Sequence, residues 1–152
     1  MIKVINKAIY SWFYLGFIPI APGTMGTIGA IPLVIFLSGL GLYWYLLITI
    51  ILLPIGCYLS KIAAKDLNNS DPKQVVVDEV AGFLITMIEV PISWKSILLG
   101  FVLFRTLDIF KPYPISFCDQ KIKGGVGIML DDVLAGIFAC FLLHLLARYI
   151  SF

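Results

Sequence analysis

Residues 41–60, GLYWYLLITIILLPIGCYLS, run for twenty residues without a charged side chain. At about 1.5 Å per residue, a helix of that length matches the roughly 30 Å hydrocarbon core of a bilayer. The run is too long for a strand and too evenly apolar for a half-solvated surface. Pro54 and Gly56 lie inside it, which a membrane helix tolerates better than a soluble one. The rest of the chain agrees. Of 152 residues, 61% are hydrophobic and 13% charged, and the mean hydropathy is +1.02. A soluble domain is about half apolar and about a quarter charged, and so short a chain could not hide this much apolar surface from water. The expected fold is therefore all-α. It is a polytopic membrane helical bundle, one domain over residues 1–152, with about four to five membrane-embedded helices, some of them short.

Breakers mark the segments. The N-terminal stretch MIKVINKAIYSWFYLGF carries Lys3 and Lys7 ahead of apolar residues. No clean small-x-small cleavage site follows, so it is expected to be retained as an amphipathic interfacial helix. Short helices are expected over Thr24–Ser38, Asp78–Val90 and Ser96–Phe110, a full span over Gly41–Ser60, and a last helix over Asp131–Tyr149. KIAAKDLNNSDPKQ (residues 61–74) reads as a helix end plus loop, and residues 111–127 as a loop rich in proline and glycine. Cys57, Cys118 and Cys140 are far apart and lack CxxC spacing, which argues against a disulfide framework or a zinc site. A net charge of +2 is too small to imply nucleic acid as a partner.

Charge sorts by side when the helices alternate in direction. Lys3, Lys7, Lys61, Lys65, Lys73, Arg105, Lys111, Lys121 and Lys123 fall together, and Lys95 and Arg148 fall opposite. The positive-inside rule places the first group in the cytoplasm. Asp66, Asp71, Asp78, Glu79, Asp108, Asp119, Asp131 and Asp132 share that side, and Glu89 does not. Loop solvation accounts well for the charges of residues 61–73. It accounts poorly for the acids that adjoin apolar helices.

Asp78-Glu79 stands before VAGFLITMI, and Asp131-Asp132 before VLAGIFACFLL. One acid at a helix start caps free N–H groups and suits the dipole; a second is surplus to capping. Each pair precedes a small pair, Ala81-Gly82 and Ala135-Gly136, which lets helices approach closely and draws the acidic ends together. Arg105 and Asp108, three apart in FRTLDIFKPYPI, share a helical face. They form either a simple ion pair or a functional pair, with Asp108 facing the other acids and Arg105 facing an anion. So many carboxylates cannot all ionise without a counter-charge, and oxygen-only ligands favour Mg²⁺ or Mn²⁺ over Zn²⁺. Arg105, Lys111, Lys121, Lys123 and the turn Gly124–Gly127 lie on the same edge and suit a phosphate. The glycine turn also reads simply as a tight loop, and Thr24, after Pro22-Gly23, as a helix cap or a phosphate contact.

Several phosphate chemistries are excluded. The sole histidine, His144, lies deep in the last helix, away from the acids. Cys118 is followed by DQKIKGG, without the arginine of a cysteine phosphatase loop. DxDxT, a Walker loop and the spaced aspartates of CDP-alcohol phosphotransferases are absent. Metal-activated water attacking phosphorus remains.

PGTMGT, DEVAGFLITM, FRTLDIFKPYPI and GGVGIMLDDVLAG, in that order, closely resemble the phosphatidylglycerophosphatase A family, from about Phe17 to the last helix. The resemblance implies Mg²⁺-dependent hydrolysis of phosphatidylglycerol phosphate to phosphatidylglycerol and inorganic phosphate, at the cytoplasmic face of the bacterial inner membrane. Val77, Tyr113 and Thr27 depart from the expected pattern without removing a charge. Asp78, Glu79, Asp108, Asp131 and Asp132 are expected to supply the metal ligands and the base, with Glu79, Asp131 and Asp132 closest to the metal. Arg105 and Lys111 are expected to hold phosphate oxygens, with Thr24, Gly125 and Gly127 as secondary contacts. The alternative is a small divalent-cation transporter or channel. It would call for acids at mid-membrane or on both faces.

Overall fold

The computed structural model describes residues 2–149, apart from the side chain of Asp119. Among these residues there are seven α-helices and no strand: α1 (Ile2–Tyr10), α2 (Pro22–Leu40), α3 (Leu42–Asp66), α4 (Val77–Thr86), α5 (Trp94–Phe110), α6 (Ile115–Lys121) and α7 (Gly125–Ala147). The all-α bundle expected from hydropathy is what forms. Helices α2, α3 and α7, of 19, 25 and 23 residues, are long and apolar enough to cross a membrane. α4 and α5, of 10 and 17 residues, are shorter, so the expected four to five membrane-embedded helices is an approximate count.

α4 is the hub. All of its residues except Glu79 are buried, and it packs against α2, α3, α5 and α7. A helix that is apolar all round belongs in the middle of a bundle. The outer helices instead turn Ile35, Phe36, Ile50, Ile51, Val102 and Phe141 outward. Apolar surface facing lipid provides no drive for helices to associate, so close packing at small residues must hold the bundle. The structure has such contacts. A Cβ on Gly136 would sit 2.4 Å from the carbonyl oxygen of Gly82, and one on Gly82 would sit 2.6 Å from the Phe104 ring. The Tyr45 hydroxyl donates to the Leu84 carbonyl at 2.7 Å, at the far end of α4 where the helix leaves carbonyls unpaired.

Five of the expected boundaries differ, the first being the end of α4, which stops at Thr86 rather than Val90. α2 extends over Pro22–Leu40 through Pro32, so it is spanning length rather than short. α3 continues past Ser60 to Asp66, because KIAAKD carries good helix formers. α5 starts at Trp94, where Ser93 and Ser96 form a reciprocal capping box. The 111–127 loop contains α6, and α7 begins at Gly125. Asp131-Asp132 therefore lie about two turns inside α7 and cap nothing. Gly125 and Gly127 lie where this helix presses on other backbone, so a side chain has no room at either. A Cβ would lie 2.1 Å from the Cys57 carbonyl oxygen in one case and 2.1 Å from that of Ile122 in the other.

Candidate active site

The starts of α2, α4 and α7, the end of α5 and the 67–76 loop converge on one cavity of about 310 Å³. Among the described residues its lining includes six carboxylates (Asp71, Asp78, Glu79, Asp108, Asp131, Asp132) and four basic side chains (Lys73, Arg105, Lys111, Lys123). A single divalent cation would balance that formal charge.

The close crossing of α4 and α7 builds the centre. Gly82 and Gly136 each follow an aspartate, Asp78 and Asp132, by four residues, so contact and acid share a face one turn apart. Carboxylate oxygens of Asp78, Glu79 and Asp132 lie within 4.8 Å of one another. One oxygen of Asp78 (Oδ1) and one of Glu79 (Oε2) are buried and accept no hydrogen bond among the described residues. Buried carboxylate oxygens without donors call for a proton or a cation. Both acids sit in the first turn of α4. Burial, reinforced by the neighbouring Glu79, raises the Asp78 carboxyl well above the usual carboxylate range. Burial pushes Glu79 up to about 7, with Asp108 adding to the rise and Arg105 opposing it. A cation at this point would replace the protons. The donor set of three carboxylates, with oxygens unsatisfied, fits a hard divalent ion such as Mg²⁺.

The remaining charges frame this triad. Arg105 Nη1 is 2.5 Å from Asp108 Oδ2 and 3.7 Å from Glu79 Oε1. The ion pair readable in the sequence exists, and Asp108 also neighbours Glu79 and Asp132. Lys111 Nζ pairs with Asp131 Oδ2. Lys111 closes α5 with φ 43°, in the left-handed region that glycine prefers at a helix end. That turn brings its side chain onto the cavity wall.

The structure thus gathers Asp78, Glu79, Asp108, Asp131, Asp132, Arg105, Lys111 and Gly127 around one space. It does not bring Thr24 or Gly125 there. The next residue along a helix is turned by about 100°, so Gly23 faces the cavity and Thr24 does not. Gly125 faces α3. Gly23 is the residue that sequence reasoning passed over. A Cβ there would lie 2.0 Å from Glu79 Oε1 and 3.1 Å from Arg105 Nη1, so only glycine leaves these groups their room. The Pro22-Gly23 step was its visible signal, read as a helix start alone. Ser70 and Lys73 were also missed as lining residues. They come from the polar 61–74 stretch just ahead of Asp78, and that adjacency was the available clue. His144 is exposed near the C-terminal end of α7 with its Nδ1 2.9 Å from the Cys140 carbonyl oxygen, remote from Asp131 and Asp132 near the start of that helix.

Comparison with known proteins bears on this geometry. The sequence model of the family described as phosphatidylglycerophosphatase A matches residues 8–147. The chain is 38% identical over 138 residues to phosphatidylglycerophosphatase A of Escherichia coli K12, covering 90% of this chain and 80% of that protein. It is 44% identical over 129 residues to phosphatidylglycerophosphatase A of Haemophilus influenzae, covering 84% and 79%. A Bacteroides thetaiotaomicron protein bearing the provisional name phosphatidylinositol-3-phosphatase is 35% identical over 145 residues, covering 91% and 90%. No solved structure matches the chain.

Proposed function

The chain belongs to the phosphatidylglycerophosphatase A family, and from that premise we propose that it is a Mg²⁺-dependent lipid phosphatase. It removes the terminal phosphate of phosphatidylglycerol phosphate, leaving phosphatidylglycerol and inorganic phosphate. The reaction takes place at the cytoplasmic face of the bacterial inner membrane. The observation that carries this reading is the convergence of the Asp78, Glu79 and Asp132 oxygens within 4.8 Å, beside Arg105 and Lys111, in one cavity at the helix ends. At that depth a phosphomonoester on a lipid headgroup reaches the acids while its tails stay among the apolar helix faces. The bias of lysine and arginine to this side supports the cytoplasmic orientation.

Asp78, Glu79 and Asp132 would hold the cation. When bound, Mg²⁺ supplies positive charge that acidifies water and offsets charge gathering on the phosphoryl oxygens. The chain's own groups do the rest. Arg105, fixed by Asp108 and Glu79, presents its guanidinium to the phosphate. Lys111, anchored by Asp131, presents an ammonium to the same cavity. A carboxylate outside the triad, Asp131 or Asp108, takes the proton of the attacking water and returns it to the glycerol oxygen as that oxygen's bond to phosphorus breaks. The Gly127 region adds the N-terminal end of α7, whose first N–H groups have no helical partner.

The test is phosphate release from phosphatidylglycerol phosphate in detergent micelles by the purified protein, with Mg²⁺ and with EDTA. Release should require Mg²⁺ and fall by at least about 100-fold in Asp132→Asn and in Asp131→Asn, both still folded. Full activity in purified Asp132→Asn would sink the metal assignment. No release from folded wild type would sink the phosphatase reading and turn attention to cation transport.

A further inference from the structure

The first acid in the chain is Asp66, whereas Lys3 and Lys7 stand in its first helix. α1 sorts its residues by face. At about 100° per residue, Ile2, Ile5 and Ile9 share one stripe with Val4 beside it, and Lys3 and Lys7 stand on the other side. Those four apolar side chains are exposed rather than packed on the bundle. Tyr10 is the inward residue of the helix. It joins Leu59 and Ala63 of α3, together with Val75 and Val77, in one buried cluster. Leu59 and Ala63 lie near the end of α3, and the loop that follows lines the cavity. α1 therefore sits at the cavity end of the bundle with its apolar stripe uncovered.

The turn after α1 continues that surface. Trp12, Phe13 and Tyr14 have φ of 46°, 56° and 70°, three successive non-glycine residues in the left-handed region. Local bonds hold them there. The Tyr14 N–H donates to Ser11 Oγ at 3.1 Å, and Trp12 Nε1–H donates to the Gly29 carbonyl at 2.8 Å. The result is a fixed elbow with Phe13 74% exposed. The same unit grips the backbone ahead of the acids. Val76 N–H donates to the Tyr10 carbonyl at 2.9 Å, and a Cβ on Gly16 would lie 2.2 Å from the Gln74 carbonyl oxygen. Val76 immediately precedes α4, whose second and third residues are Asp78 and Glu79. Whatever holds α1 and its elbow thus holds the start of α4.

We propose that α1 and its elbow form an arm that binds an anionic lipid surface, and that this attachment steadies the backbone presenting Asp78 and Glu79. Position and charge identify the partner. The arm leads directly into α2, which is long and apolar enough to cross a membrane. Its uncovered stripe enters the acyl boundary beside the bundle, and the Phe13 ring anchors it at the interface. Lys3 and Lys7 stay at headgroup level, with no acid before Asp66 to oppose them. Two cations without a counter-charge select lipids of the opposite sign. The arm reads the surrounding bilayer, on a surface separate from the cavity that takes the substrate. Its binding to lipid does not depend on the phosphatase reading; its effect on rate does.

The experiment places the purified chain in nanodiscs of phosphatidylcholine, with and without one-third phosphatidylserine. It reads amide hydrogen exchange, and phosphate release at a fixed fraction of phosphatidylglycerol phosphate with Mg²⁺. In wild type, exchange of residues 2–10 should be at least about tenfold slower with phosphatidylserine. Residues 74–80 should slow with them, and kcat should rise several-fold. Lys3→Gln combined with Lys7→Gln should keep the rate in phosphatidylcholine and lose most of the phosphatidylserine effect in all three readouts. Equal exchange of residues 2–10 in the two discs, or an effect that survives the double variant, would overturn the anionic surface as partner. Protection that follows the ratio of protein to disc rather than lipid charge would assign the stripe to a second copy and overturn it too. Slower exchange in α1 with residues 74–80 and kcat unchanged would overturn the coupling to the acids. Wild type inactive in both discs, with exchange still dependent on phosphatidylserine, would overturn the phosphatase reading and leave the arm standing.

Discussion

Replacing Gly136 with alanine tests whether the crossing of α4 and α7 sets the spacing of the carboxylates. The added Cβ would lie 2.4 Å from the Gly82 carbonyl oxygen, 3.1 Å from its carbon and 3.2 Å from its Cα, whereas real Cβ contacts essentially never fall below 3.0 Å. The obstacle is backbone, so no side chain can swing aside. The helices must part by at least about 0.6 Å, and nearer 1 Å for an ordinary contact. Asp78 and Asp132 lie four residues from the two glycines, about 6 Å along each axis, so most of that gap reaches the triad. A misplacement of about 1 Å at reacting groups costs on the order of 100-fold in rate. Gly136→Ala should thus lower kcat by about 10- to 100-fold, with a smaller effect on KM. Overpacking should also lower stability by about 1–3 kcal/mol. Phosphate release and thermal unfolding in detergent read these two effects. Gly39→Ala is the control. A Cβ there meets nothing within 4 Å, so both readouts should stay at wild-type level or rise slightly in stability. Wild-type kcat in a folded Gly136→Ala protein would refute the claim that this contact spaces the acids.

Gly23→Ala should disturb Glu79 and Arg105 together, because its Cβ would lie 2.0 Å from Glu79 Oε1. The concentration of Mg²⁺ for half-maximal rate should rise at least several-fold, and an unchanged Mg²⁺ titration would contradict that packing. Lys111→Gly and Lys111→Ala remove the same ion pair with Asp131 but differ at a φ of 43°. Both should lose activity alike, while the glycine variant unfolds later by about 1 kcal/mol; equal melting would remove the backbone argument. Burial raises Asp78 and takes Glu79 from an ordinary 4.5 to about 7. Between those values the metal-free native state binds more protons than the unfolded chain, so its stability falls as pH rises through the window. Mg²⁺ binds the ionised acids, so the stabilisation it adds should grow from pH 5 to pH 8. Melting curves with EDTA and with Mg²⁺ across that range check both slopes, and a Mg²⁺ increment independent of pH would count against the triad as the metal site.

Much of this protein is local and therefore visible in its order of residues. Hydropathy is a sum over neighbours, so an all-helical bundle with spanning-length segments follows from runs such as residues 41–60 without knowledge of any contact. The acids announce themselves because a charge beside an apolar helix is costly unless it is paired or used. The i, i+3 spacing of Arg105 and Asp108 predicts their ion pair because helical geometry alone makes it. Other features are not local. The start of α7 at Gly125 depends on two glycines pressed against the Cys57 and Ile122 carbonyls, contacts that a turn-like GGVG string does not reveal. Gly23 rather than Thr24 faces the cavity because of how α2 is rotated against α4 and α5. Lys73 and Asp78, five residues apart on a loop and a helix, line one cavity because the loop folds back under Tyr10 and Gly16. Sequence determined which groups are too costly to leave without a partner. Tertiary structure decided which of the others meet, because that depends on differences of about an ångström or less in how closely helices approach, set by absent side chains on facing helices.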